Sequence, residues 1–126
     1  MPLPTDIRLR RAERVLELRF DDGAAFALPA EYLRVESPSA EDRGHGEAPR
    51  RLVSGRREVG ILEIEPIGNY AIRLIFDDLH DTGIYTWDYL YQLGREQSVR
   101  WAAYEAALAG RGLSRDPRHG AARPAP

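Results

Sequence analysis

The sequence predicts an α+β fold: a small, mostly antiparallel sheet of hairpins covered on one face by C-terminal helices. Three observations carry this expectation. Two pairs of apolar runs with period-two alternation are each joined by a short turn, the first at Asp21-Asp22-Gly23 and the second at Pro66-Ile67-Gly68-Asn69. After Thr86 the large apolar residues change to helical spacing. Nowhere do strand and helix patterns alternate in the way a parallel sheet requires.

In chain order, Ile7 and Leu9 alternate with Arg8 and Arg10, and the chain returns near residues 11–14. Leu16, Leu18 and Phe20 alternate with Glu17 and Arg19, and Phe26 and Leu28 follow the turn, which completes a three-stranded meander. Pro29 suits the start of a helix, so Ala30-Glu31-Tyr32-Leu33-Arg34 is read as one or two helical turns. Residues 37–57 are poor in large apolar side chains and contain Pro38, Gly44, Gly46, Pro49 and Gly55, the composition of an exposed loop.

The second hairpin pairs residues 61–65 with 70–76, and its period-two set is Tyr70, Ile72, Leu74 and Phe76. A polar turn over residues 77–83 leads into a brief strand at Ile84-Tyr85. Thr86 is a natural N-cap, and Asp88 in the first turn favours the helix dipole. The spacing of Tyr89, Leu90 and Leu93 is helical, Gly94 offers a stop, and a second helix is expected from about Arg95 to Ala109. That helix carries one stripe of Val99, Ala103 and Ala106 and a neighbouring stripe of Trp101, Tyr104 and Leu108. Residues 1–110 therefore read as one domain, and residues 111–126, rich in Gly, Pro, Arg and Ala, as a disordered tail.

Composition excludes several chemistries. The 126 residues contain no Cys, which removes disulfides, thiolate ligands and a Cys nucleophile. All 18 basic residues are Arg, so a Schiff-base or phosphate-loop lysine is absent too. Against 20 acidic residues the net charge is −2 with the signs interspersed, which argues against nucleic acid as a partner. There is neither a secretory leader pattern nor an apolar run of membrane-spanning length, so no membrane association and a cytoplasmic location are expected.

Three histidines remain for site chemistry. His119 falls in the expected tail. His80 sits among Asp77, Asp78 and Asp81, a set able to surround a divalent ion and equally the makings of a solvated turn. His45-Gly46-Glu47 has the opening spacing of a facial iron triad, but an oxygenase barrel needs more strands than this chain supplies. A His80–Asp81 acid–base pair would be an alternative use of that turn. Among the aromatics at Tyr85-Thr86-Trp87-Asp88-Tyr89-Leu90-Tyr91, helical spacing assigns Tyr85 and Tyr89 to the core. Trp87 and Tyr91 are left partly exposed as candidate partner contacts.

Several segments also resemble a known family. Leu28-Pro29-Ala30-Glu31-Tyr32-Leu33-Arg34, Arg43-Gly44-His45-Gly46, Glu65-Pro66-Ile67-Gly68-Asn69-Tyr70-Ala71 and, above all, His80-Asp81-Thr82-Gly83-Ile84-Tyr85-Thr86-Trp87-Asp88-Tyr89-Leu90 resemble the gamma-butyrobetaine hydroxylase-like N-terminal domain, also called DUF971. The likeness spans about Thr5 to Gly94. In the carnitine-biosynthesis hydroxylases this domain precedes an oxygenase barrel and holds a structural zinc through three cysteines and one histidine. By resemblance His80 occupies the position of that histidine, while the cysteine-bearing segment corresponds to residues 34–43, which hold no cysteine. Oxygen and imidazole donors alone bind zinc more weakly and less selectively. No barrel is expected here, so hydroxylase activity is not carried over. A similar domain is fused to plastid iron–sulfur carrier proteins, which implies a docking or assembly role.

The leading expectation is a non-catalytic binding or scaffold module that docks to a protein partner in iron–sulfur or metal-dependent metabolism. The rival is a small metal-binding protein holding iron or zinc through His80, Asp78, Asp81 and His45. Homo-oligomerisation is also expected, because a small sheet has edges.

Overall fold

The computed structural model describes residues 2–38 and 52–117. Strands β1 (Pro4–Arg10), β2 (Val15–Phe20) and β3 (Ala25–Pro29) form an antiparallel sheet in the order β1-β2-β3. The β2–β3 turn is a three-residue loop: Phe20 N–H donates to Ala24 O at 2.8 Å, and Gly23, at φ 92, donates to Phe20 O at 3.0 Å. Only a residue tolerant of positive φ closes such a loop without strain. Helix α1 (Ala30–Val35) starts directly behind Pro29, whose φ of −63 already suits a helical entry.

Strands β4 (Ile61–Ile67), β5 (Ala71–Phe76) and β6 (Ile84–Thr86) make a second antiparallel sheet, in the order β4-β5-β6. The fold is thus α+β, with the hairpins divided between two three-stranded sheets rather than gathered into one. Both sheets turn their apolar faces to a shared core. Leu16, Leu18, Phe20 and Leu28 come from the first, and Ile72, Leu74, Phe76 and Tyr85 from the second. Tyr70 departs from its expected face: β5 begins at Ala71, and Tyr70 belongs to the preceding turn with 54% of its surface exposed.

Helix α2 (Trp87–Arg95) is capped as expected, Thr86 Oγ1 accepting the Tyr89 N–H at 3.2 Å. It runs through Gly94 and breaks at Glu96, where α3 (Gln97–Gly110) begins. Gly94 therefore serves packing rather than termination. A Cβ built there would lie 2.4 Å from the Phe26 ring. On α3 the stripe with the larger side chains is the buried one: Tyr104 and Leu108 join Val35 in a second cluster, with Trp101 against it, while Val99 is 72% exposed. Larger apolar groups gain more from burial.

Residues 111–117, assigned to the tail by composition, fold back onto the domain. Gly55 N–H and Arg57 N–H donate to Ser114 O and Arg115 O, both at 2.9 Å. The Arg115 guanidinium grips Glu31 with two bonds of 2.8 Å and lies 5.0 Å over the Trp101 ring. Residues 118–126 lie outside the described residues.

Tyrosine hydroxyls join the elements. Tyr32 of α1 donates to Leu93 O of α2, Tyr85 of β6 to Leu33 O, Tyr89 of α2 to Glu36 O, and Tyr104 of α3 to Val53 O. A short helix leaves its last carbonyls without intrahelical partners, and at the ends of α1 and α2 the phenols of Tyr85, Tyr89 and Tyr32 fill that role.

Two predictions follow from this packing. Gly94→Ala should lower stability by about 1–3 kcal/mol from overpacking against Phe26, in spite of a helix-propensity gain of about 1 kcal/mol; urea unfolding measures it. Burial, with the Glu31 charge in support, pushes the Tyr104 hydroxyl up to about 12, and burial likewise raises Tyr32. A phenol whose folded pKa exceeds its unfolded value of about 10 gives stability that is intact below that pH and lost as pH rises through the folded value. In a titration from pH 9 to pH 12, about the last phenols to ionise at 295 nm should do so together with the loss of far-UV ellipticity.

Candidate functional site

The connection between β5 and β6, residues 77–83, carries three of the four expected metal ligands. It is closed by Leu79 N–H to Phe76 O at 3.1 Å and by Phe76 N–H to His80 O at 2.9 Å. Asp78 Oδ1 accepts the His80 N–H at 3.1 Å, an Asx-type turn. Leu79 takes φ 74 at the tip, with its side chain in solvent.

This turn directs its two functional groups inward. His80 is buried, and its Nε2 lies 2.9 Å from the Oγ of Ser37, which is itself fully buried. Gly83 is required beside them, since a Cβ there would fall 2.6 Å from Ser37 Oγ. Asp78 Oδ2 accepts from Arg34 Nε of α1 at 2.9 Å. Arg56 Nε lies 2.7 Å from the same oxygen, an ion pair without hydrogen-bond alignment. Burial pushes the Asp78 carboxyl up. The Arg34 hydrogen bond and charge, the His80 N–H and the Arg56 charge outweigh that and hold it below its ordinary value.

The structure thus brings His80 and Asp78 to one turn but engages both in bonds to the protein. Asp81 is exposed, and its main-chain carbonyl accepts from Arg73 at 3.3 Å. His45 lies outside the described residues. Among the described residues no group of three His, Cys, Asp or Glu side chains comes together to hold a metal. Among the described residues the donors do not make a zinc set: one imidazole is bonded to a hydroxyl, and one carboxylate lies between two guanidiniums. Sequence reasoning missed Ser37, Arg34 and Arg56. None of the three carried a signal in the sequence, since the burial of Arg34 within α1 is visible only in the structure.

The two candidate contact aromatics are both half-buried. Tyr91 packs edge-on against Phe20 and Phe26, with ring centres 5.0 and 5.5 Å away, and donates to Asp22 Oδ2 at 2.6 Å. Trp87 sits at the turn end of the second sheet. Its Nε1–H donates to Asn69 O at 2.9 Å, and its N–H to Tyr70 O at 3.2 Å. Gly68, at φ 54, supports the Tyr70 ring, whose carbons lie 3.0 Å from where a Cβ would stand. Tyr70 in the β4–β5 turn and Trp87 at the start of α2 are thus joined through the main chain, with Trp87 half-buried and Tyr70 largely in solvent.

Comparison with known proteins supplies the family context. Residues 7–91 match the family model described as gamma-butyrobetaine hydroxylase-like, N-terminal. Two proteins with NMR solution structures are similar to this chain. One is 50% identical with TM-score 0.81, covering 93% of this chain and 92% of its own, and the other is 46% identical with TM-score 0.80, covering 93% and 87%. A crystal structure from Acidithiobacillus ferrooxidans, described as a DUF971 protein of unknown function, is 40% identical with TM-score 0.61, covering 72% of this chain and 91% of its own. No curated protein matches.

The charge cluster makes a specific prediction. Asp78→Asn removes the charge that lies between the Arg34 and Arg56 guanidiniums and should cost about 2–4 kcal/mol at neutral pH. Because the folded pKa of Asp78 is depressed, its contribution is present above the unfolded value of about 4 and is lost as pH falls through the folded one. Denaturation midpoints of wild type and variant should therefore differ at pH 7 and converge as Asp78 becomes protonated in acid.

Proposed function

The chain belongs to the gamma-butyrobetaine hydroxylase-like N-terminal family, and from that premise we propose that it is a non-catalytic binding module, cytoplasmic, that docks to a protein partner in iron–sulfur or metal-dependent metabolism. The observation that carries this reading is the neighbouring pair of Tyr70, in the β4–β5 turn, and Trp87, at the start of α2. Tyr and Trp dominate the energetics of protein interfaces, and they do so best when held rigid, because little conformational entropy is then lost on binding. Trp87 is fixed by its bond to Asn69 O, and Tyr70 rests on Gly68 while remaining 54% exposed. The described residues also contain no helix long and apolar enough to cross a membrane.

A binding role also accords with the state of the polar groups that chemistry would use. Ser37 and His80 are adjacent but buried, with Gly83 closing over Ser37. Asp78 is neutralised by two arginines.

The test is recovery from a bacterial lysate on immobilised full-length chain after crosslinking, with wild type beside Tyr70→Ala. The expected outcome is a partner held by wild type and reduced about tenfold or more by the variant, whose thermal unfolding is unchanged. Recovery of nothing above background, or of a partner indifferent to Tyr70, contradicts the proposal. Elemental analysis of untagged protein purified without chelator addresses the rival. The binding-module reading expects neither iron nor zinc in stoichiometric amount; stoichiometric metal that disappears in His80→Ala would replace it with the metal-binding one.

A further inference from the structure

The described residues contain four edge strands, β1 and β3 of the first sheet and β4 and β6 of the second. An edge offers unpaired main-chain groups to other chains, and proteins blunt it with proline, charge, bulges or brevity. Strand β1 has Pro4, a bulge between Pro4 and Asp6, and the exposed charges of Asp6, Arg8 and Arg10. Strand β4 has Pro66 and a bulge between Ile61 and Glu63, and Arg11 covers its Leu62 carbonyl at 2.8 Å. Strand β6 is three residues long. Strand β3 has none of these devices before its final Pro29: its sequence is Ala25-Phe26-Ala27-Leu28.

Its open edge is well defined. Phe20 and Ala24 form a hydrogen-bonded pair, so by antiparallel alternation Phe26 and Leu28 bond to β2, while the N–H and C=O of Ala25 and Ala27 point away from it. No turn, loop or side-chain hydrogen bond among the described residues uses those groups. On the outer face Ala25 stands beside Arg19 and Ala27 beside Glu17. The two alanines leave a shallow hollow of ≈ 410 Å³, walled by Arg8, Arg10, Glu17 and Arg19. Arg8 is paired with Asp6 and Arg10 with Glu17, whereas Arg19 makes no ion pair among the described residues.

We propose that β3 pairs antiparallel with β3 of a second copy about a twofold axis at Phe26, joining the two first sheets into one of six strands. With Phe26 opposite its counterpart, Ala25 faces Ala27 of the second copy, and each alanine pair exchanges two main-chain hydrogen bonds. The same register creates a row of Arg19, Ala25, Ala27 of the second copy and Glu17 of the second copy, and the symmetric row beside it. About 14 Å separates the ends of each row, at roughly 4.8 Å per strand. The bare methyl floor lets the two long side chains lean across that span and meet. The edge is thus complementary to itself in hydrogen bonding, in charge and in the small side chains that make room, which favours a second copy over an unlike strand. On the inner face Phe26 remains packed on Gly94, Phe20 and Tyr91, so the edge is already rigid before pairing. The contact is small, which makes the dimer weak and its population dependent on concentration. It is independent of the Tyr70–Trp87 surface, which belongs to the other sheet.

Sedimentation equilibrium of the full chain up to about 1 mM tests this, with charge reversal as the control of register. Wild type should show a reversible dimer. Glu17→Arg and Arg19→Glu each place like charges at both ends of the shared rows and should weaken it about tenfold; mixing the two variants restores opposite charges in both rows and should restore association. Ala27→Pro removes an N–H that faces the open edge, leaves the β2 ladder intact and should yield a monomer. Far-UV circular dichroism confirms that each variant is folded, and if Ala27→Pro fails to fold the charge variants decide alone. A wild type that is monomeric at every concentration, or a dimer untouched by either single reversal, overturns the proposal.

Discussion

The last carbonyls of a six-residue helix are the constraint on which the rest of the structure depends. Helix α1 has too few turns to satisfy its own C-terminus, and it is buried along its whole length, so water does not substitute. Glu36 N–H and Ser37 N–H take the carbonyls of Tyr32 and Arg34, and Tyr85 takes that of Leu33. Tyr89 takes the carbonyl of Glu36. Tyr32 returns the favour by bonding to Leu93 O near the end of α2. Phenols suit this task because the ring fills apolar space between the elements while its hydroxyl meets the carbonyl. A leucine in any of these positions would fill the space and leave a carbonyl buried without a partner, at a cost of about 1–3 kcal/mol.

With α1 held in this way, the residues that follow it are delivered to the β5–β6 turn. Arg34 reaches Asp78, and Ser37 reaches His80. These two contacts cross between parts of the chain more than forty positions apart, the same two segments that the family resemblance associates with a shared zinc. Here a hydroxyl–imidazole bond and an Arg–Asp–Arg cluster span the crossing. The cluster has a physical cost: the Arg34 guanidinium and the Asp78 carboxylate are largely withdrawn from water, and their pairing helps to offset it. The hydroxyl–imidazole bond explains why Gly83 adjoins His80. The space that a side chain would need is already filled by the Ser37 hydroxyl.

Much of this fold was legible in the sequence, and the parts that were not share a cause. Both hairpins, the Thr86 cap and the start of α1 behind Pro29 are local features, written in period-two alternation and turn chemistry, and they appear at nearly their expected positions. The division into two sheets was not legible, because strand pattern records which face is apolar and not which strands are neighbours. Gly94 reads as a helix stop until Phe26, sixty-eight positions earlier, is found resting on it. Residues 111–117 have a tail's composition, yet Arg115 binds Glu31 across eighty-four positions. In the candidate site the turn and its histidine could be found, but Ser37, Arg34 and Arg56 join it only through tertiary contact.

The most direct measurement is the urea unfolding free energy of Tyr85→Phe beside wild type, both in the presence of chelator. The substitution keeps the ring in the core and removes only the hydroxyl that satisfies Leu33 O. If the carbonyls of α1 govern the fold without a metal, wild type should unfold as a single cooperative transition unaffected by chelator, and the variant should lose about 1–3 kcal/mol. A variant as stable as wild type, or a wild type that loses its transition when chelator is added, would contradict the account.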